Sequence, residues 1–288
     1  MSRASFGDRL AAEFAAGRHL CAGIDPHAPL LDSWGLSADA AGAERMGREV
    51  VAAAAGVAAC VKPQVSFFER FASQGFAALE RVLADARDAG LMVVADAKRG
   101  DIGSTFAAYA EAWLSPGSPL EADALTAAPY MGFRTLAGAF PYVREHGKGL
   151  FVLAATSNPE ARGTQLALRA DGSTVAAAIV DDADAWNADA HPDAAVGSIG
   201  VVLGATLRLP EFGIDTARPR TGPALPVLAP GFGHQGARIE DAASIFGTIG
   251  DAVLANESRS ILVGGPEGLS GRIRSRAAAI AEAIALEN

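Results

Sequence analysis

Lysine is nearly missing from this chain. Of 24 basic residues only three, Lys62, Lys98 and Lys148, are lysine; arginine carries the rest of the positive charge. The high alanine content marks part of this as genomic bias, yet it leaves each surviving ammonium to be accounted for. Lysine offers a compact charge whose proton can be given away, and a guanidinium does not. Cysteine is scarce as well. Cys21 and Cys60 are the only two. They make no disulfide framework, suit a reducing compartment, and lie within apolar runs where packed thiols are expected.

Long apolar stretches are absent. Val50–Val61, broken by Gly56, spans 12 residues, too short to cross a bilayer. MSRASFGDRLAAEF at the N-terminus has no unbroken apolar run of the export-signal kind and reads as an amphipathic helix. A net charge of −9 and a pI near 5.1 argue against nonspecific binding to nucleic acid or anionic membrane, while leaving room for a local basic pocket. The five histidines show no metal-ligand spacing, and His234 reads as a hydrogen-bonding loop residue. A cytoplasmic protein with no nucleic-acid or membrane partner is expected.

What the chain does have is a regular series of short apolar runs, most ending in Gly, Pro or polar residues. They are HLCAGID (19–25), AACVKPQ (58–64), LMVVADAK (91–98), ADALTAAPY (122–130), GLFVLAATS (149–157), GSIGVVLGAT (197–206), ALPVLAPG (224–231) and DAVLANES (251–258). Stretches with helical periodicity, such as Gly75–Ala89 and Ser173–Ala190, separate most of them. Strands alternating with helices imply parallel pairing through right-handed crossovers. Eight such units predict an α/β fold, a closed (β/α)₈ TIM barrel, preceded by a helix over 4–16 and forming one domain over 1–288. The sixth unit is the weakest, because the 208–226 segment is rich in Pro and Gly. VGGPEG (263–268) reads as the turn before a last helix at Arg272–Glu287.

Barrels of this kind carry their chemistry at the C-terminal ends of the strands. The polar residues expected there are Asp25, Lys62, Asp96, Lys98, the Thr156-Ser157-Asn158 group, the PGFGHQGA loop (230–237) and NESRS (256–260). Asp96 and Lys98, two apart on a strand, point to the same side, and Val94 marks that side as the interior. Asp101, beyond Gly100, leaves the straight strand. Taken alone, the D-x-K-x-x-D string is better read as a solvated, salt-bridged turn. Its place at a strand end, beside a second lysine on the neighbouring strand, reverses that preference in favour of a preorganised charged row. The glycines of 230–237, with Gln235 and with Arg259 after the next strand, fit a phosphate grip about as well as an ordinary β/α turn. Arg99-Gly100-Asp101 spells an adhesion tripeptide and is read as coincidence; the non-enzymatic binding module it would imply requires these residues to be exposed.

In chain order, GIDP, VKPQ, DAKRGDIGST, ATSNP, GFGHQGA and ESRS resemble the motifs of the orotidine 5′-phosphate decarboxylase family in its longer bacterial form. The resemblance covers essentially the whole chain, and DAKRGDIGST is its most specific element. It implies that Asp25 binds a ribose hydroxyl and that Lys62 bridges ribose and charged row. Asp96 would face the leaving carboxylate, with Lys98 as the proton donor to C6. Asp101 and Thr105 would be donated by the other subunit of a homodimer. Ser157 would read the pyrimidine amide edge, and Gln235 and Arg259 would grip phosphate. It also implies decarboxylation to UMP with no metal and no cofactor. Two departures stand in the phosphate loop, which in relatives is closer to PGxGAQGG: His234 replaces a small residue and Ala237 the last glycine. The rival of the same fold is a Mg²⁺-dependent phosphosugar decarboxylase or aldolase, which uses an acidic residue where Lys62 stands.

Overall fold

The protein is described by a computed structural model covering residues 4–219 and 222–285. Eight parallel strands close into a barrel in sequence order. They are β1 Leu20–Ile24, β2 Cys60–Pro63, β3 Met92–Arg99, β4 Ala124–Ala127, β5 Gly149–Ala155, β6 Ile199–Leu203, β7 Val227–Pro230 and β8 Val253–Glu257. The (β/α)₈ expectation holds. The fourth strand is shorter than its apolar run, because Pro129 has no N–H to continue the ladder and accepts instead from Gly132 in a turn.

Helices cover the outside as the periodicity predicts. Ala72–Asp88 and Val175–Ala190 replace the expected 75–89 and 173–190, the latter starting where the Thr174 hydroxyl accepts from the Ala177 amide at 3.0 Å. The last helix runs Leu269–Ala285, and the end predicted for it at 286–287 lies outside the described residues. After β6 the described residues form only a 3₁₀ turn, Leu209–Phe212. Residues 220 and 221 of that Pro- and Gly-rich segment are outside the description.

Two packed sets follow from strand alternation. Ala22, Ile24, Val61, Val93 and Ala95 face the helices, whereas Cys21, Cys60, Met92, Val94, Ala124, Phe151 and Leu254 fill the barrel interior. Cys21 and Cys60 are buried free thiols in direct register. The interior is stoppered from below by the first helix, Phe6–Ala15. Ser5 and Asp8 cap its start reciprocally. Phe6 meets Phe151 edge-on at 5.9 Å, and Arg9 binds Asp123 at 2.5 Å and the Gly147 carbonyl at 2.8 Å. A Cβ on Gly7 would sit 2.1 Å from the Val196 carbonyl oxygen, so that position must stay bare for the helix to seat. Burying Phe6 and Leu10 stabilises the closure by about 2 kcal/mol each. With its lower end sealed, the barrel opens at the upper ends of its strands. Among the described residues no helix is long and apolar enough to cross a membrane.

Candidate active site

Following the inward-facing positions up four of the strands leads from apolar to polar residues, while Leu153, Val202 and Leu228 of β5, β6 and β7 keep the far wall apolar. On β2 Cys60 gives way to Lys62, on β3 Val94 to Asp96, on β4 Ala124 to Thr126, and on β8 Leu254 to Asn256. These polar residues surround a cavity of about 270 Å³ at the C-terminal mouth, also lined by Asp25, Gln64, Lys98, Thr156, Gln235 and Arg259. The cavity is therefore where a barrel of this topology keeps its chemistry.

Its centre is a carboxylate held between two ammonium groups. Lys62 Nζ donates to Asp96 Oδ2 at 2.6 Å and Lys98 Nζ to Asp96 Oδ1 at 2.6 Å. Lys62 and Asp96 are buried; the Lys98 side chain is 45% exposed and is the ammonium open to a ligand. Burial works against charge on Lys62, but Asp96 and then Asp25 outweigh it and hold its pKa above the usual lysine range. For Asp96 burial again opposes charge, and Lys62 and Lys98 together overcome it, holding the carboxyl well below the usual range. Asp25, just past β1, has one buried carboxylate oxygen with no hydrogen-bond partner among the described residues. Such an acceptor is suited to a ligand hydroxyl.

Asp96 and Lys98 meet, though not by the straight-strand alternation the sequence suggests. Lys98 has φ +46°, and β3 bulges against β4 between Ala95 and Arg99. The kink turns the lysine back over the cavity.

The upper end of β7 runs into a tight turn, where Gly231, Gly233 and Gly236 have φ of +124°, +68° and +102°, a region that side-chain-bearing residues avoid. It closes through Gly233 N–H to Ala237 O at 2.9 Å and Ala237 N–H to Gly231 O at 3.1 Å. Gln235 and His234 stand on the cavity wall from this turn, beside Arg259, which opens the short helix Arg259–Leu262 after the adjacent strand β8. His234, on the loop expected at the rim, thus belongs to the cavity wall.

Three residues named from the sequence stand off this subunit's cavity, two of them, Asp101 and Thr105, being those assigned to a partner's site. Ser157 is exposed and off the cavity wall, where Thr156 stands instead. The register shift between Leu153 and Ala155 breaks the alternation there, and Gln165 fixes Thr156 by accepting from its amide at 3.0 Å and donating to its hydroxyl at 2.9 Å. Asp101 and Thr105 are also away from the cavity, on the outer rim after β3, with Asp101 accepting from the Ile102 amide at 2.8 Å. Arg99 is not a free epitope: it pairs with Glu69 at 3.0 Å and lies over the Tyr109 ring. Thr126 and Gln64 were not singled out from sequence, and Asn256 only as part of NESRS. The inward alternation of β4 and β8 would have found Thr126 and Asn256, and Gln64 directly follows β2.

Three comparisons agree with one another. Residues 18–266 match the model of the orotidine 5′-phosphate decarboxylase / HUMPS family. The chain is 47% identical over 265 residues to an orotidine 5′-phosphate decarboxylase of Corynebacterium efficiens, covering 91% of each chain. It is 49% identical over 262 residues to that of Streptomyces coelicolor, again with 91% of each covered. The solved OMP decarboxylase of Leishmania donovani superposes with a TM-score of 0.73 at 30% identity, covering 96% of this chain and 99% of that one.

Proposed function

This chain belongs to the orotidine 5′-phosphate decarboxylase / HUMPS family, and on that premise we propose how its cavity performs the reaction. The enzyme is a carboxy-lyase that converts orotidine 5′-phosphate to UMP in pyrimidine biosynthesis. Loss of CO₂ from C6 leaves a carbanion whose orbital lies in the ring plane and cannot delocalise into the π-system. Stabilisation must come from fixed charge in a dry cavity.

The observation that carries the mechanism is the Lys62–Asp96–Lys98 row, with both contacts at 2.6 Å. Lys98, the exposed member, stabilises the developing C6 anion and then protonates it. Asp96 holds that ammonium in place and faces the departing carboxylate. Lys62 holds Asp96 ionised and reaches the ribose, whose hydroxyl satisfies the orphaned oxygen of Asp25. Gln235 and Arg259 take the phosphate, and Thr156, the hydroxyl after β5 that lines the cavity, reads the amide edge of the pyrimidine. One well-placed donor supplies about 3 kcal/mol, while the hardest reactions need about 20. Binding energy at the phosphate therefore contributes by closing loops around the row. A Mg²⁺-dependent reaction on this fold is disfavoured by Lys62, whose ammonium occupies the side of Asp96 that a cation would need.

The whole chain works as one barrel domain in the cytoplasm, as a homodimer in which Asp101 and Thr105 complete the partner's cavity. Two features support this. Asp101 and Thr105 do not line their own cavity, and Ile102, Tyr130 and Met131 are exposed on the adjoining loops, an apolar surface that a second copy would cover.

The reaction is tested by following the ultraviolet absorbance of orotidine 5′-phosphate with protein stripped by EDTA. Full turnover is expected, and an absolute requirement for added Mg²⁺ would overturn the mechanism. The shared site is tested by mixing inactive Lys98→Ala and Asp101→Ala proteins. Subunit exchange should restore about a quarter of the wild-type sites, and no recovery despite proven exchange would remove it.

A further inference from the structure

We propose that Thr126 is a positioning residue for decarboxylation, its hydroxyl fixing both members of the Asp96–Lys98 pair at once. The inference rests on the reading that this pair carries the reaction. It starts from strand register. Ala95 pairs with Leu125 and Arg99 with Ala127, so three residues of β3 (Asp96, Ala97 and Lys98) stand opposite Thr126 alone. A bulge of that size leaves ladder groups without partners. The Lys98 amide is one of them, and it donates to Thr126 Oγ1 at 2.9 Å. The same oxygen donates its own proton to Asp96 Oδ1 at 2.9 Å.

Thr126 is 1% exposed, so no water can readily take over either bond. A threonine hydroxyl has one proton to give, and here it goes to the carboxylate. One of its two lone pairs takes the amide of a residue held in the left-handed region, at φ +46°, where lysine is rarely found. One hydroxyl thus spans the kink. It holds the backbone that aims the Lys98 ammonium, and it locks the carboxylate oxygen to which that ammonium is bound. Removing it would leave the Lys98 amide without its partner and would let the bulge relax.

The test compares Thr126→Val, which keeps the shape and loses both bonds, with Thr126→Ser, which keeps both. For Thr126→Val, kcat should fall about 10- to 100-fold, while the KM for orotidine 5′-phosphate and the Kd for UMP stay within about threefold. Thr126→Ser should hold kcat within about threefold of wild type. Unchanged kcat in Thr126→Val overturns the inference. So does a parallel loss of UMP affinity, which would mean that Thr126 acts as a ligand contact, or a serine variant as impaired as the valine. Should the valine protein not fold, serine against alanine isolates the hydroxyl and is judged by the same outcomes. Lys98→Ala separates the two levels. Activity retained there removes the reading of the charged row, whereas an inactive Lys98→Ala beside an unimpaired Thr126→Val removes only the role of Thr126.

Discussion

Lys62 Nζ lies 2.6 Å from Asp96 Oδ2, and both side chains are less than a tenth exposed. The pair shifts in opposite directions, Lys62 upward and Asp96 downward, so each group stabilises the charge on the other. The depressed Asp96 contributes stability that is fully present above the ordinary carboxylate pKa, about 4, and drains away as pH falls to its lowered folded value. The raised Lys62 contributes stability that is fully present below the ordinary lysine pKa, about 10.4, and is lost as pH rises through its higher folded value. The unfolding free energy of wild type minus that of the Lys62→Met/Asp96→Asn double variant should therefore be flat from about pH 5 to 9, falling on the acid side below about pH 4. Denaturant titrations across that range measure it. A slope in the middle would mean that one partner is neutral in the folded protein.

Lys98 reaches Asp96 at the same distance but remains half open to the cavity. It can be removed without leaving a buried charge unpaired, because Lys62 and Thr126 still bind Asp96. Lys98→Ala should fold normally, lose at least about a thousandfold in kcat, and still bind UMP. Single-turnover ultraviolet assays and calorimetric titration with UMP measure the two halves. Turnover within tenfold of wild type would exclude Lys98 as proton donor.

Arg259 opens the short helix after β8 and lines the same cavity as the row. Charge-assisted contacts to a phosphate are worth about 1.5–3 kcal/mol. Arg259→Ala should therefore weaken UMP about 10- to 150-fold, with little change in affinity for uridine, which lacks the phosphate. Equal losses for both ligands would place Arg259 elsewhere on the substrate.

The barrel and most of the charged row were legible in sequence for a physical reason. Strand alternation is local, and Cys60–Lys62 or Val94–Asp96 can be followed inward one strand at a time. Lysine scarcity sharpened the reading, since two of the three ammonium groups fall on the cavity. The departures from plain strand alternation gather at the two register shifts. On β3 the shift between Ala95 and Arg99 makes Lys98 left-handed, so its inward aim is a product of the kink. On β5 the shift between Leu153 and Ala155 puts Thr156, not Ser157, on the wall. A bulge is set by pairing with a neighbouring strand, and one strand's own pattern cannot disclose it. For the same reason Thr126 reads as an ordinary β-former until its partner strand is known.

The loop carrying Arg259 is anchored from behind. Glu257, the last residue of β8, has no exposed side-chain surface; both of its oxygens accept from Arg276 of the helix Leu269–Ala285, and Oε2 also accepts from the Ser260 hydroxyl. Arg276 never touches the cavity, yet it fixes the strand end from which Ser258, Arg259 and Ser260 project onto the cavity wall. Arg276→Met would leave a buried carboxylate with a single neutral donor, destabilising the fold by about 3 kcal/mol. It should also raise KM in the same direction as Arg259→Ala, by a smaller factor, because the guanidinium survives but loses its fixed base. The double variant decides whether the clamp acts through Arg259. Stability should then fall as in Arg276→Met alone, while KM stays near that of Arg259→Ala, a coupling that two independent sites would not show. If the KM effects multiply in full, the ion pair supports the barrel without positioning the phosphate grip.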